Sequence, residues 1–312
     1  MAELRDLLHA ERYRRGALYL DIPKLRLSLD EEGSVSGLGR DARDPSHSLI
    51  EEFMLAANEA VARYFIEKRL PLVARVHPPP EDKKLGDFRT FLAALDMRFG
   101  GKGGSRDLQR LVEKVAGDPL SSTIQLALLR TMGHAEYVVG AGLHFALATE
   151  AYCHFTSPIR RYPDLLVHQA LDEHLDGLLA PARRREWDRR LPHAAEKASE
   201  LERRAEEAER EMAKLLLIRY LSPMVGEEMN GHIISVHPFG FFVRVDESLV
   251  EGLVHVSTLA DDYYEFDRAK LSLSGRRARK RLVVGERVRV ELSDVDVDAR
   301  EISFRFLKKL GG

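Results

Sequence analysis

Apolar residues fall at two different periods along this chain, and the change between them comes near residue 222. Before it the spacing is three and four. Ile50, Phe53, Met54, Ala57, Val61 and Phe65 predict a helix over 46–69, with Ser46 or Ser48 as its cap. Further helices are predicted over 84–98, 106–116 and 119–132, and the HPPPED run at 77–82 is a hard break. Leu4, Leu7 and Leu8 place an amphipathic helix at the start. That stripe either docks on its own domain or opens partway through a larger architecture. Residues 17–33 read as two short strands with a proline turn between them and a DEEG turn after. Over 193–221, Ala198, Leu201, Ala205, Ala208, Met212 and Leu215 step by three and four. Small residues on so narrow a seam admit a close partner helix. A coiled-coil dimer is one such partner. Alanine buries little area per turn, so packing within the chain is preferred and no oligomer is expected.

After residue 222 the period becomes two. GHIISV, FGFFVRV, EGLVHVS, RVRVEL and REISFRF are short and alternating, with Gly and Asp turns between them. Five such strands predict a small antiparallel barrel. The expected fold class is α+β: a mainly helical region with a few strands over 1–221, then an all-β barrel over 222–312.

Composition narrows the function classes. The 312 residues are 44% hydrophobic and 31% charged, with a formal net charge of −2. No global basic signal for nucleic acid exists, so any polyanion site must be local. Between 268 and 289 it is: Arg268, Lys270, Arg276, Arg277, Arg279, Lys280, Arg281, Arg287 and Arg289 stand against Glu286 alone. Cys153 is the one cysteine, which rules out an internal disulfide and fits a reducing compartment. It reads as a small buried residue before it reads as a nucleophile. No stretch is long and apolar enough to span a bilayer, so a cytoplasmic protein without a membrane partner is expected. GGKGGS at 100–105 lacks the spacing of a phosphate-binding loop. SDVDVDAR at 293–300 puts aspartates on one strand face, and its alternating valines make it a solvated edge rather than a metal site.

The densest chemistry is HFTSPIRRYPDLLVHQAL, residues 154–171. Pro158 and Pro163 exclude an ordinary helix between Phe155 and Tyr162. Arg160 and Arg161 therefore sit on a constrained turn, before a helix expected near Asp164, which can cap it. Planar, permanently charged forks suit bidentate phosphate contact. Thr156 and Ser157 add hydroxyl donors, and Phe155 and Tyr162 add faces for bases. An arginine pair bridging to internal carboxylates is the alternative, and chemistry alone does not choose.

Two resemblances bear on that choice. The run V-x-P-F-G-F-F-V-R-V followed by E-G-L-V-H-V-S resembles the S-one type of oligonucleotide-binding barrel. It implies that Phe239, Phe242 and His255 face RNA, with Asp296 and Arg300 as a polar pair near the last strand. Alternation puts Phe241 and Phe242 on opposite faces, so at least one of them belongs to the core. The 154–171 run, with SLIEEFMLAANEAVARYF, RVHPPPEDKKLGDFRTFLAAL and ERRAEEAER in order, resembles the ribonuclease II / ribonuclease R family. The resemblance runs from about residue 3 to the end. It implies processive 3′-to-5′ degradation of single-stranded RNA to nucleoside 5′-monophosphates. It also implies Mg²⁺ held by clustered aspartates, and charge on the scissile phosphate stabilised by Arg160. Thr156, Ser157, Arg161 and Tyr162 would contact the terminal nucleotides. Glu52, or its neighbour Glu51, would help hold the last one.

The family's aspartate cluster has no counterpart in this sequence. The chain alone is therefore expected to bind no metal and to be inactive. It would be a gene fragment, one subunit of a split nuclease needing the N-terminal nuclease half, or a non-catalytic binder of single-stranded RNA.

Overall fold

The computed structural model describes residues 1–40, 44–277 and 280–311. Helix α1 (Ala2–Arg15) stops at Gly16, whose left-handed φ of 104° folds the chain back onto the helix end; there the Gly16 and Ala17 N–H groups meet the Tyr13 and Arg12 carbonyls. A hairpin follows, β1 (Leu25–Leu29) with β2 (Val35–Arg40). Only the second of the two strands expected over 17–33 forms. Residues 17–24 stay outside any strand, and the Leu18 N–H goes to the Ala146 carbonyl.

Helix α2 (Pro45–Glu67) is the predicted long helix, but its cap is Asp44 rather than either serine. The Asp44 carboxylate accepts the Ser46 N–H at 2.8 Å, and Pro45 fills a first-turn position that needs no N–H. Strand β3 (Val73–Val76) pairs antiparallel with β4 (Glu136–Val139). Both are too short for a period to reveal. Between them α3 (Asp82–Ala94), α4 (Ser105–Lys114) and α5 (Ser121–Thr131) pack around Phe88, Leu92, Leu108 and Leu128.

Helices α6 (Tyr162–Leu175) and α7 (Pro181–Leu221) complete the helical part. Ala62 and Phe65 of α2, Val73, Tyr137, Leu166, Val167, Trp187 and Leu191 form one core there. The helix expected from 193 starts upstream, at Pro181, and runs through Pro192. An interior proline costs roughly 3 kcal/mol. Trp187 and Leu191 before it and Ala194 and Ala195 after it are buried in the same core, and that packing holds the helix through.

The C-terminal part contains β5 (Glu228–His237), β6 (Gly240–Val245), β7 (Glu251–His255), β8 (Tyr264–Asp267), β9 (Ser272–Gly275), β10 (Arg281–Val283), β11 (Arg287–Asp296) and β12 (Glu301–Lys309). The closed barrel runs β11–β12–β7–β6–β5, and β8–β10 make a separate sheet. Its pairs are antiparallel except β12 with β7, which is parallel. The fold is thus α+β, with one departure from the all-antiparallel expectation.

Ile218 and Leu221 lie inside the barrel core with Phe241, Val243, Val254 and Phe304. By packing, the last turn of α7 belongs to the barrel. Between its two buried ends the predicted seam of α7 is open: Leu201, Ala205, Ala208 and Met212 are exposed and not covered within the described chain. Alanine, glutamate and arginine carry that span by helix propensity, and Glu202, Arg203 and Glu211 pair with Arg75, Glu136 and Arg300 of other elements.

Candidate nucleic-acid interface

The arginine turn is fixed from two sides. On the α2 side, Asn58 Oδ1 accepts the Phe155 N–H at 3.0 Å. On the α6 side, Asp164 Oδ1 accepts the Ser157 N–H at 2.8 Å and the Arg161 Nη2 at 2.7 Å. Asp164 is fully buried. It is the third residue of α6, which begins at Tyr162 rather than near Asp164, and its carboxylate braces the turn instead of capping the helix. The two arginines therefore part ways. Arg161 is ion-paired inside the protein. Arg160 is exposed, and its guanidinium has no hydrogen-bond or ion-pair partner among the described residues. The internal-carboxylate reading left open by the sequence thus describes Arg161 and not Arg160.

Three buried polar atoms around this turn lack a hydrogen-bond partner: Thr156 Oγ1, Arg161 Nε and Asp164 Oδ2. Ser157 contributes its backbone to the brace, and Tyr162 is half-exposed with its hydroxyl accepting from Arg190 at 3.0 Å. Phe155 is not a free face for a base: His168 stacks on it at 4.1 Å, nearly parallel. Behind the turn, burial and then the charges of Arg161 and Arg75 push His154 down to about 3, so its ring is neutral. Burial and the Asp164 charge push the Cys153 thiol up to about 12, which leaves it inert.

Glu52 corrects an expectation. It is 3% exposed, and Arg12 of α1 grips both its oxygens at 2.8 and 2.6 Å. His9 and Tyr19 each add a contact at 3.1 Å. Its carboxylate is thus engaged inside the protein. Glu51, one residue earlier, is exposed and is the glutamate still open to a ligand.

On the barrel, Phe239 is 45% exposed and stacks on His237 at 5.1 Å and 7°, while Phe242 stands edge-on to both. Phe241 is the core member of its pair. His237 was missed by the sequence reading. The signal was its place at the end of β5, two residues before Phe239 of the turn that leads into β6. Burial, then the Arg130 charge, lowers its pKa and favours a neutral ring. Gly240 has φ 150°, and a Cβ there would collide with the Val254 carbonyl of β7, so only glycine lets the aromatic hairpin close. His255 pairs opposite Gly240 and is exposed, with Nδ1 engaging Ser257 at 2.7 Å.

Asp296 and Arg300 do not form a polar pair. Asp296 accepts the Asp298 and Ala299 N–H groups and closes its own hairpin, while Arg300 bonds Glu211 of α7. The register sets them at the Glu251 end of β7, away from His255 and Phe239. The basic segment also loses much of its charge. Lys270 pairs with Asp267, Arg276 with Glu265, Lys280 with Asp261, Arg287 with Asp246 and Arg289 with Glu228. Arg268, Arg277 and Arg281 keep unpaired side chains among the described residues, and Arg279 lies outside them. Among the described residues no helix is long and apolar enough to cross a membrane.

Comparison with known proteins adds the following. The RNB domain profile matches residues 1–177, and the S1 RNA binding domain profile matches 222–306. Ribonuclease R 1 of Lactococcus lactis is 38% identical over 310 residues, which is 98% of this chain and 38% of that protein. Ribonuclease R of Thermotoga maritima is 38% identical over 97% of this chain and 43% of its own length. The solved apo form of Mycoplasma genitalium RNase R superposes with a TM-score of 0.91 at 29% identity, over 98% of this chain and 48% of that one. The same enzyme in complex with ribose methylated single-stranded RNA gives the same values. The chain thus spans less than half the length of these relatives.

Proposed function

This chain belongs to the RNB family, and from that premise we propose that it is the RNA-holding part of a 3′-to-5′ exoribonuclease of the ribonuclease R type. Residues 1–221 would be the nuclease part and 222–312 the S1 barrel. The observation that carries the reading is Arg160: a permanently charged fork, exposed and without a partner among the described residues, on a turn braced by Asp164 and Asn58. Such a group meets a phosphodiester bidentately without first breaking an internal bond. Arg161 acts one step back, by holding Asp164 and so the Ser157 backbone. On the barrel, His237, Phe239 and Phe242 offer stacking surface for bases, which is tolerant of sequence.

The family's Mg²⁺ has no seat among the described residues, which contain no group of three or more His, Cys, Asp or Glu side chains that could hold a metal ion. The purified chain is expected to bind single-stranded RNA and, in Mg²⁺, to leave it intact. Hydrolysis is expected only with a polypeptide that supplies the metal ligands. Degradation of labelled oligoadenylate by the chain alone, abolished by EDTA, would overturn that expectation.

The barrel's share has its own test. Phe239→Ala and Phe242→Ala are each expected to weaken oligoadenylate binding by about 1–3 kcal/mol, the value of one base–ring stack. Filter binding across a salt series should also show affinity falling with salt, by a slope of about 0.7 per phosphate contacted. Because five cations of the 268–289 segment are already paired, a shallower slope is expected than their number suggests.

A further inference from the structure

We propose that Asn58 is a positioning residue for the arginine turn: through one buried carboxamide, α2 sets the backbone from which Arg160 is presented to RNA. The inference rests on reading that turn as a phosphate site. Asn58 is 2% exposed, and its carboxamide and its carbonyl meet residues 152–155, which lead into the turn. Oδ1 accepts the Phe155 N–H at 3.0 Å, Nδ2 donates to the Tyr152 hydroxyl at 3.2 Å, and its carbonyl accepts the Cys153 thiol at 3.5 Å. The amide orientation follows from chemistry, since a backbone N–H can only donate.

Further braces come from the β3–β4 pair, where the Arg75 N–H donates to the Tyr152 carbonyl at 2.9 Å and the Tyr137 hydroxyl meets His154 Nδ1 at 2.8 Å, and from α6. His168 Nε2 bonds the Phe155 carbonyl at 2.9 Å, and Asp164 holds Ser157 and Arg161. The turn leads directly into α6, so those bonds carry turn and helix as one piece. Asn58 ties that piece to a different helix. A buried carboxamide is costly unless both its ends are bonded, and asparagine is a poor interior helix residue. Here both ends are spent on residues 152–155, so the side chain's chemistry serves the turn and not α2.

The test is fluorescence anisotropy of a single-stranded oligoadenylate with a free 3′-hydroxyl, titrated with the full chain across a KCl series. Asn58→Leu keeps the size and removes the bonds. It is expected to weaken binding roughly tenfold, the loss of one charge-assisted contact. Its salt slope should drop by about 0.7, one phosphate fewer on a single strand. Asn58→Asp retains an acceptor for Phe155 and can accept from the Tyr152 hydroxyl, and it should restore affinity and slope. The pair Asn58→Leu with Arg160→Ala should bind no more weakly than Arg160→Ala alone, because both remove one interaction.

Normal binding by Asn58→Leu beside a weakened Arg160→Ala would overturn the proposal, as would additive losses or a slope that Asn58→Leu leaves unchanged. Normal binding by Arg160→Ala would instead strike the phosphate-site reading itself, and this inference with it. If Asn58→Leu fails to fold, Tyr152→Phe carries the test: it deletes the Nδ2 partner alone, and unchanged affinity would count against the assignment.

Discussion

Replacing Arg160 with alanine is expected to cut RNA hydrolysis by about 10²–10³ when the chain is assayed with a polypeptide supplying the metal ligands. The expectation follows from what the side chain is not doing. It has no internal partner among the described residues, so its removal leaves no buried group stranded and the fold should hold. On the proposed reading, what disappears is the charged donor that would meet the scissile phosphate. The neighbouring arginine is the control. Arg161 is bonded to the fully buried Asp164, so Arg161→Ala should show first as lost thermal stability. Single-turnover rates and melting curves on both variants separate the roles. Equal rate losses with equal stability losses would mean that the turn acts as one structural unit and that Arg160 has no distinct part in chemistry.

The second large effect is one of stability. Glu52→Ala is expected to cost about 3–5 kcal/mol, because it leaves the Arg12 guanidinium buried and unpaired between α1 and α2. That is a large share of the 5–15 kcal/mol typical of a domain. RNA affinity per folded molecule should be unchanged. A fall in affinity without a fall in stability would return Glu52 to the role of nucleotide ligand. The same pair has a pH signature. Burial alone would raise the Glu52 carboxyl, but the Arg12 hydrogen bonds and charge, with His9 and Tyr19, outweigh it and hold the group below its ordinary value of 4.5. A depressed carboxylate contributes its stabilisation in full above its unfolded pKa and loses it as pH falls through the folded one. Denaturation midpoints should therefore drop on acidification below about pH 4.5, more steeply in the unsubstituted chain than in Glu52→Gln.

Much of this architecture was legible in the residue pattern. The long α2, the three helices that follow, the switch to period two and the turn between Pro158 and Pro163 all come from local rules of spacing and proline geometry. What stayed hidden was the destination of charge. Glu52 meets Arg12 across 40 positions, Arg300 meets Glu211 across 89, and Lys280 meets Asp261 across 19. No local window contains both ends of such a pair, so a run of cations looked freer than it is. The same limit explains Glu52, which shares its family motif with Glu51 and differs from it only in which side of α2 is covered. His237 escaped for another reason: a histidine at a strand end gives no period of its own and declares itself only beside Phe239.

The uncovered middle of α7 has a consequence for how far any RNA must reach. At 1.5 Å per residue, its 41 residues make a rod of about 60 Å, anchored in one core by Trp187 and in the other by Ile218. Beside its exposed seam the rod is tied to both parts, by Glu202 to Arg75 and by Glu211 to Arg300, and the barrel core also takes Leu38, Phe91 and Leu95 of the helical part. A residue gained or lost in α7 would turn one anchored end against the other by about 100°, so it would have to break those lateral contacts, whereas seven together would turn it by only about 20° but lengthen the rod by about 10 Å. The distance from stacking rings to arginine is thus held twice, by the length of the rod and by the contacts beside it.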